Sequence, residues 1–194
     1  MTPPESAAPL IIVTGLPRSG TSLVMSLLHA GGHPILTDSL RPPDPDNPHG
    51  YFEYSPVKSL MSDATWLPAH HGQAIKIISP LLPYIPTSLP LKVILIERPL
   101  AEVLASQAAM LTRAGKPQPA DPALLARAWQ NQIATTHTLL AHRPHTQLLT
   151  LQHRELLQNP AAEIDRLLNF LPTLRNRAAL LRTIDPALHR QKTV

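Results

Sequence analysis

A chain of 194 residues with 43% hydrophobic residues, no cysteine and a formal net charge of +4 is long enough to bury a sizeable core. That composition excludes disulfides, thiolate metal sites and cysteine nucleophiles, and no apolar run approaches the roughly 18 to 20 residues of a membrane span. The basic residues are scattered and aromatics make up only 4%, so an anionic small molecule is the expected partner and nucleic acid is not. Residues 1–9 have no basic stretch leading into an apolar one, as a signal peptide would. They read as a disordered tail ahead of a single domain over 10–194, with a cytoplasmic location expected.

The first element is the apolar, β-branched run 10–13, which reads as a buried strand. It breaks at Gly15, turns through Leu16, Pro17, Arg18, Ser19 and Gly20, and resumes as a helix with Leu23, Val24, Leu27 and Leu28 on one stripe. Strand, glycine-bounded turn and helix together aim backbone N–H groups and a helix N-terminus at a phosphate. Gly15 and Gly20 have the P-loop spacing, but Thr21 stands where the Walker lysine belongs, and the nearest cation is Arg18.

Residues 33–90 carry eleven of the 23 prolines, which predicts loops and short elements. Within them, N-P-H-G-Y-F-E ends in Tyr51, Phe52 and Glu53, a brief helix follows Ser55 and Pro56, and 74–78 is a short strand carrying Lys76. The clearest later strand is 92–97, apolar on both faces as in a covered parallel sheet. Arg98 ends it and Pro99 is expected at the first position of a helix. A long helix starts after Asp121, a fourth strand spans 147–151, Asn159 and Pro160 open another helix, and a last one covers about 173–183. Strands alternating with helices predict an α/β fold, a single-domain P-loop-type parallel sheet flanked by helices in three α/β/α layers. Ligands bind at the carboxyl ends of such strands, where Arg18, Lys76 and Arg98 all fall. The blander reading of Lys76 is a solvated edge lysine. The ten histidines show no H-E-x-x-H or comparable spacing, so no metal site is expected.

Two stretches resemble the sulfotransferases that use 3′-phosphoadenosine 5′-phosphosulfate (PAPS). G-L-P-R-S-G-T-S is similar to that family's loop for the 5′-phosphosulfate. V-I-L-I-E-R-P-L-A-E-V-L-A-S is similar to its 3′-phosphate signature, a strand leading to Arg98 and then to Ser106 eight residues on. Weaker similarities lie in N-P-H-G-Y-F-E, I-K-I-I-S-P and the segment 148–171, so the matches run from about residue 10 to 172.

The resemblance implies PAPS as co-substrate, with no metal needed, and an unidentified small-molecule or peptide acceptor. It implies that Gly15, Pro17, Arg18, Ser19, Gly20, Thr21 and Ser22 form the 5′-phosphate loop, with the amides of residues 19–22 and the Thr21 and Ser22 hydroxyls as donors. Lys76 would reach the transferring sulfuryl oxygens, and Arg98 and Ser106 would hold the 3′-phosphate. Where some members carry a histidine base just after that lysine, this chain has Ile78. Leu23 replaces an aromatic beside the adenine, and a C-terminal Arg-Lys-Gly motif is missing, with only Arg182, Arg190 and Lys192 near the end. The base is therefore sought in Glu53, whose proton would be held more tightly if it were buried beside its aromatic neighbours, then in Asp38, then in His49. His153, Arg154 and Glu155 match a segment read as structural. Two alternatives stay open: a non-catalytic nucleotide-binding protein of the same fold, and a small P-loop kinase or NTPase with Glu97 as its only Walker B carboxylate.

Overall fold

The computed structural model describes residues 8–38, 40–44, 47 and 50–188. Most of the expected N-terminal tail (1–7), His49, Arg190 and Lys192 lie outside the described residues. Four parallel strands form one sheet in the order β2-β1-β3-β4, with β1 at Leu10–Thr14, β2 at Ala74–Lys76, β3 at Leu91–Glu97 and β4 at Thr146–Gln152. In register, Ile12 lies opposite Ile75 on one side and Val93 on the other, and Val93 in turn lies opposite Leu148.

The period of two assigns the strand residues to two cores. Ile11, Val13, Ile94, Ile96 and Leu151 face one layer, made by α1 (Thr21–Ala30), α4 (His153–Gln158), α5 (Pro160–Phe170) and α6 (Arg177–Thr183). Leu10, Ile12, Ile75, Val93 and Leu95 face the other. There α3 (Pro122–His142) contributes Leu140, and the 3-10 turns Ser55–Ser59, Leu67–His70 and Ser79–Tyr84 belong to the chain that closes this side. Helices on both faces are what a sheet apolar on both sides requires. Among the described residues no helix is long and apolar enough to cross a membrane.

Some boundaries differ from the sequence reading for local reasons. Pro99 is not the first helical residue: with ψ at 128° it is extended and caps α2 (Leu100–Arg113). The strand expected over 74–78 ends at Lys76, although the Ile77 amide still bonds the Val13 carbonyl at 3.0 Å. The brief helix after Ser55 is a 3-10 turn, and the last helix starts at Arg177, where the Asn176 side chain accepts from the Ala179 amide. α4 was not anticipated, because six residues are too few to display a helical stripe.

The chain leaves β1 toward β2 on one side and later returns to place β3 on the other. The crevice at the carboxyl ends of β1 and β3 is thus the topological switch point of the sheet, the position where open α/β sheets take ligands.

Candidate functional site

The turn after β1 has the backbone of an anion cradle. Gly20, in a left-handed conformation (φ 111°), precedes α1, and a Cβ there would lie 2.7 Å from Cδ2 of His153. At Gly15 a Cβ would lie 2.6 Å from the Ile96 carbonyl oxygen, so only glycine lets the loop approach β3 this closely. Arg18 is held at φ 69°, a conformation non-glycine residues rarely adopt. The amides of residues 20–23 donate to no group among the described residues, as expected of a helix's first turn. The Ser19 amide, by contrast, bonds the Leu16 carbonyl at 3.1 Å, so the run of available donors begins one residue later than expected.

These donors open into a cleft of about 560 Å³. Pro17, Arg18, Gly20, Thr21 and Ser22 line it, together with Lys76, Arg98 and Ser106. The expected residues from four segments therefore meet in one place. Gly15 and Ser19 do not face it; they line a smaller cavity of about 290 Å³ behind the loop.

One wall is built by α2. Arg18 donates through Nε to the Ser106 hydroxyl at 3.2 Å, joining residues 88 apart in sequence. Arg98 donates through Nη1 to the Arg18 carbonyl (3.4 Å) and through Nε to Glu102 (3.0 Å). Glu102 has no exposed surface and takes a second cation, Arg154, at 2.7 Å. Sequence reading passed over Glu102, although Arg98 and Glu102 have the i,i+4 spacing of a helical ion pair. It also passed over Met110 and Arg113, which follow Ser106 at helical spacing and line the same cleft. The segment read as structural reaches the site: His153 lines the cleft beside the loop, and Arg154 ties Glu102 to α4.

The opposite wall is built on Tyr51. Its carbonyl accepts from the Lys76 ammonium and, at 3.4 Å, from the Ser22 hydroxyl. Its ring lies 3.3 Å beneath the Arg41 guanidinium, and its hydroxyl donates to Asp44 at 2.7 Å. Burial and the Asp44 bond push the Tyr51 phenol up. Lys76 is only 10% exposed, and burial is the main cause of a pKa lowered to about 8; the nearby Glu53 opposes that shift and Arg41 adds to it. Glu53 stands 3.9 Å from Lys76 and 3.1 Å from Arg41. It is half-buried, with 33% of its side chain exposed. Arg41 carried no local signal, because a loop brings it there.

Leu23 and Ile78 line the cleft. Asp38 and Arg182 do not. Asp38 accepts from the Ser55 amide (2.6 Å) and the Leu40 amide (3.1 Å), bonds that anchor the Ser55–Ser59 turn. Glu97 points to the small cavity, where His137 and Gln152 each bond it at 2.6 Å.

The fold is that of sulfotransferases. The structure is similar to mouse sulfotransferase SULT7A1 complexed with PAP, with a TM-score of 0.62 and 14% identity over 96% of this chain and 68% of that one. It is also similar to the sulfotransferase domain of the Synechococcus PCC 7002 olefin synthase (TM-score 0.56, 16% identity, 98% of this chain and 91% of that one). A third is the sulfotransferase domain of the curacin biosynthetic pathway (TM-score 0.55, 13% identity, 92% and 78%). No family model matches the sequence, and no curated protein matches it either.

The geometry separates the two carboxylates considered as bases. Hydrogen bonds from Ser55 and Leu40 hold the Asp38 carboxyl below its ordinary range, as befits a cap. Asp38→Ala is expected to lower the melting temperature and to leave the affinity for adenosine 3′,5′-bisphosphate unchanged. Loss of turnover at an unchanged melting temperature would instead make Asp38 a catalytic group.

Proposed function

We propose that this protein is a PAPS-dependent sulfotransferase. The observation that carries the reading is the meeting of unbonded loop amides, Arg18, Arg98, Ser106 and Lys76 in one cleft at the switch point of a sulfotransferase fold. The cradle fits a nucleotide with two phosphates. Residues 20–23 and Arg18 supply donors at the loop, and Arg98 and Ser106 supply them at the end of β3. Bound there, PAPS supplies a sulfuryl group on a phosphate leaving group.

The roles of the side chains follow from charge. Arg18 neutralises the phosphate oxygen that gains charge as the S–O bond breaks, and Lys76 neutralises the sulfuryl oxygens. The acceptor hydroxyl forms the new O–S bond and loses its proton to Glu53, whose carboxylate stands beside Lys76. Adenosine 3′,5′-bisphosphate and the sulfate ester are the products. The kinase reading is disfavoured because Glu97, the carboxylate it relied on, turns away from the cleft.

Calorimetry tests the nucleotide assignment. Because Arg98 and Ser106 would read the 3′-phosphate, adenosine 3′,5′-bisphosphate is expected to bind about tenfold or more tightly than AMP without Mg²⁺, the gain of one charge-assisted contact. Equal affinities would remove the reading.

The base is tested by Glu53→Gln, which keeps the shape and removes the basicity. It is expected to lower kcat on an alkyl alcohol by about 10²- to 10⁴-fold and to spare bisphosphate affinity. Wild-type turnover on that substrate would exclude Glu53.

The pH profile tests Lys76. Its charge is complete well below pH 8 and is lost as pH rises through its folded pKa of about 8. The kcat/KM profile, which reports the free enzyme, is expected to fall on the alkaline side near that value. Lys76→Arg, charged at any accessible pH, should move that limb upward; a limb unmoved by the substitution would assign it to another group.

A further inference from the structure

Besides the residues assigned to the nucleotide, the cleft is lined by Glu53 and by Val57 and Lys58 of the 3-10 turn Ser55–Ser59. Tyr54, Ile78 and Leu81 line it too, and with Val57 they make this part largely apolar. Tyr54 is fixed from behind by edge contacts to Trp66 (5.4 Å) and His70 (5.9 Å). This shelf carries one more charge, Lys58.

Lys58 differs from the other described cations of the cleft. Arg98 is paired with Glu102, Arg41 and Lys76 share Glu53, and Arg18 bonds Ser106. Arg113 also has an interaction of its own. Among the described residues Lys58 makes no hydrogen bond and has no carboxylate within 4 Å. The charge that feels it is Asp38, whose two oxygens are engaged by the amides of Ser55 and Leu40. A nucleotide in the loop would use Arg18, Arg98 and Lys76 and leave Lys58, an exposed lysine whose charge Asp38 also feels, in the lining of the apolar part of the cleft.

From this placement we infer that the acceptor is a hydroxylated carboxylic acid, its apolar body on Tyr54 and Val57, its carboxylate at Lys58 and its hydroxyl between Glu53 and Lys76. The inference rests on the sulfotransferase reading. Four residues separate Glu53 from Lys58, three of them in the 3-10 turn Ser55–Ser59. A lysine is a single charged point, which suits one carboxylate and sets no bidentate geometry.

The test uses three phenols of one shape: 4-hydroxyphenylacetate, its neutral amide and the cationic tyramine. Each is titrated calorimetrically into the protein loaded with adenosine 3′,5′-bisphosphate, and each is assayed with PAPS. The acid is expected to bind and react about tenfold better than the amide, the worth of one charge-assisted contact, with tyramine the poorest. In Lys58→Gln the acid and amide should become equivalent while bisphosphate affinity stays as in the parent. In Lys58→Glu tyramine should become the best of the three. Equal binding of acid and amide to the parent protein, no binding of any phenol, or an acid preference that survives Lys58→Gln would overturn the acceptor assignment alone. Failure of the bisphosphate itself to bind more tightly than AMP would bring down the sulfotransferase reading, and the acceptor with it.

Discussion

A carboxylate with no access to water must be neutralised where it stands, and Glu102 meets that demand with two arginines. Breaking such a buried pair typically costs about 3 to 5 kcal/mol, far more than a surface pair contributes. The pairing reaches beyond its own helix. Arg98 carries it from α2 to the Arg18 carbonyl, Arg18 returns it to Ser106, and Arg154 extends it to α4. The end of β3, the phosphate loop and two helices are thus locked by one buried charge. Two arginines that would otherwise repel are held close to one another because each has a counter-charge or an acceptor.

The far wall is fastened differently, through a backbone carbonyl. Tyr51 offers one oxygen to both Lys76 and Ser22, and so ties the proline-rich chain to β2 and to α1. The ring and hydroxyl of the same residue then collect Arg41 and Asp44. Phe52 follows at φ 49°, a turn that sends the chain on toward Glu53. One wall is thus set on a helix by a buried charge, and the other on a loop by a backbone carbonyl.

The sheet and its helices were legible because their signals are local and periodic. Runs such as 93–96 are apolar at every position, and only a strand covered on both faces needs that. The β1–α1 turn was legible for the same reason: two glycines at fixed spacing between a strand and a helical stripe. What could not be read was long-range. Nothing near Arg41 in sequence announces that it stacks on Tyr51, and nothing near Arg154 announces Glu102, 52 residues away. Asp38 and Glu53 looked alike as loop carboxylates, and only the fold gives one a pair of amides and the other a pair of cations. Ser19 looked like a ligand by its place in the motif, yet its side chain turns behind the loop, where its hydroxyl and that of Ser79 are buried without a partner among the described residues.

Strand order has a consequence for how the chain comes into being. β1 is an interior strand of the sheet, bonded to β2 on one flank and β3 on the other. Its flank toward β3 stays open until residues up to Glu97 have been made, roughly 80 residues after Thr14 and about 4 to 16 seconds of synthesis at ordinary rates. Through that interval the β3 flank of β1 is unpaired, while the proline-rich stretch, already made, supplies Leu60, Leu67 and Leu82 to one of its faces. β2 can pair with β1 before that interval ends and β4 joins only after it, so the sheet is completed late, and the interval before β3 arrives is when a chaperone has the most to protect.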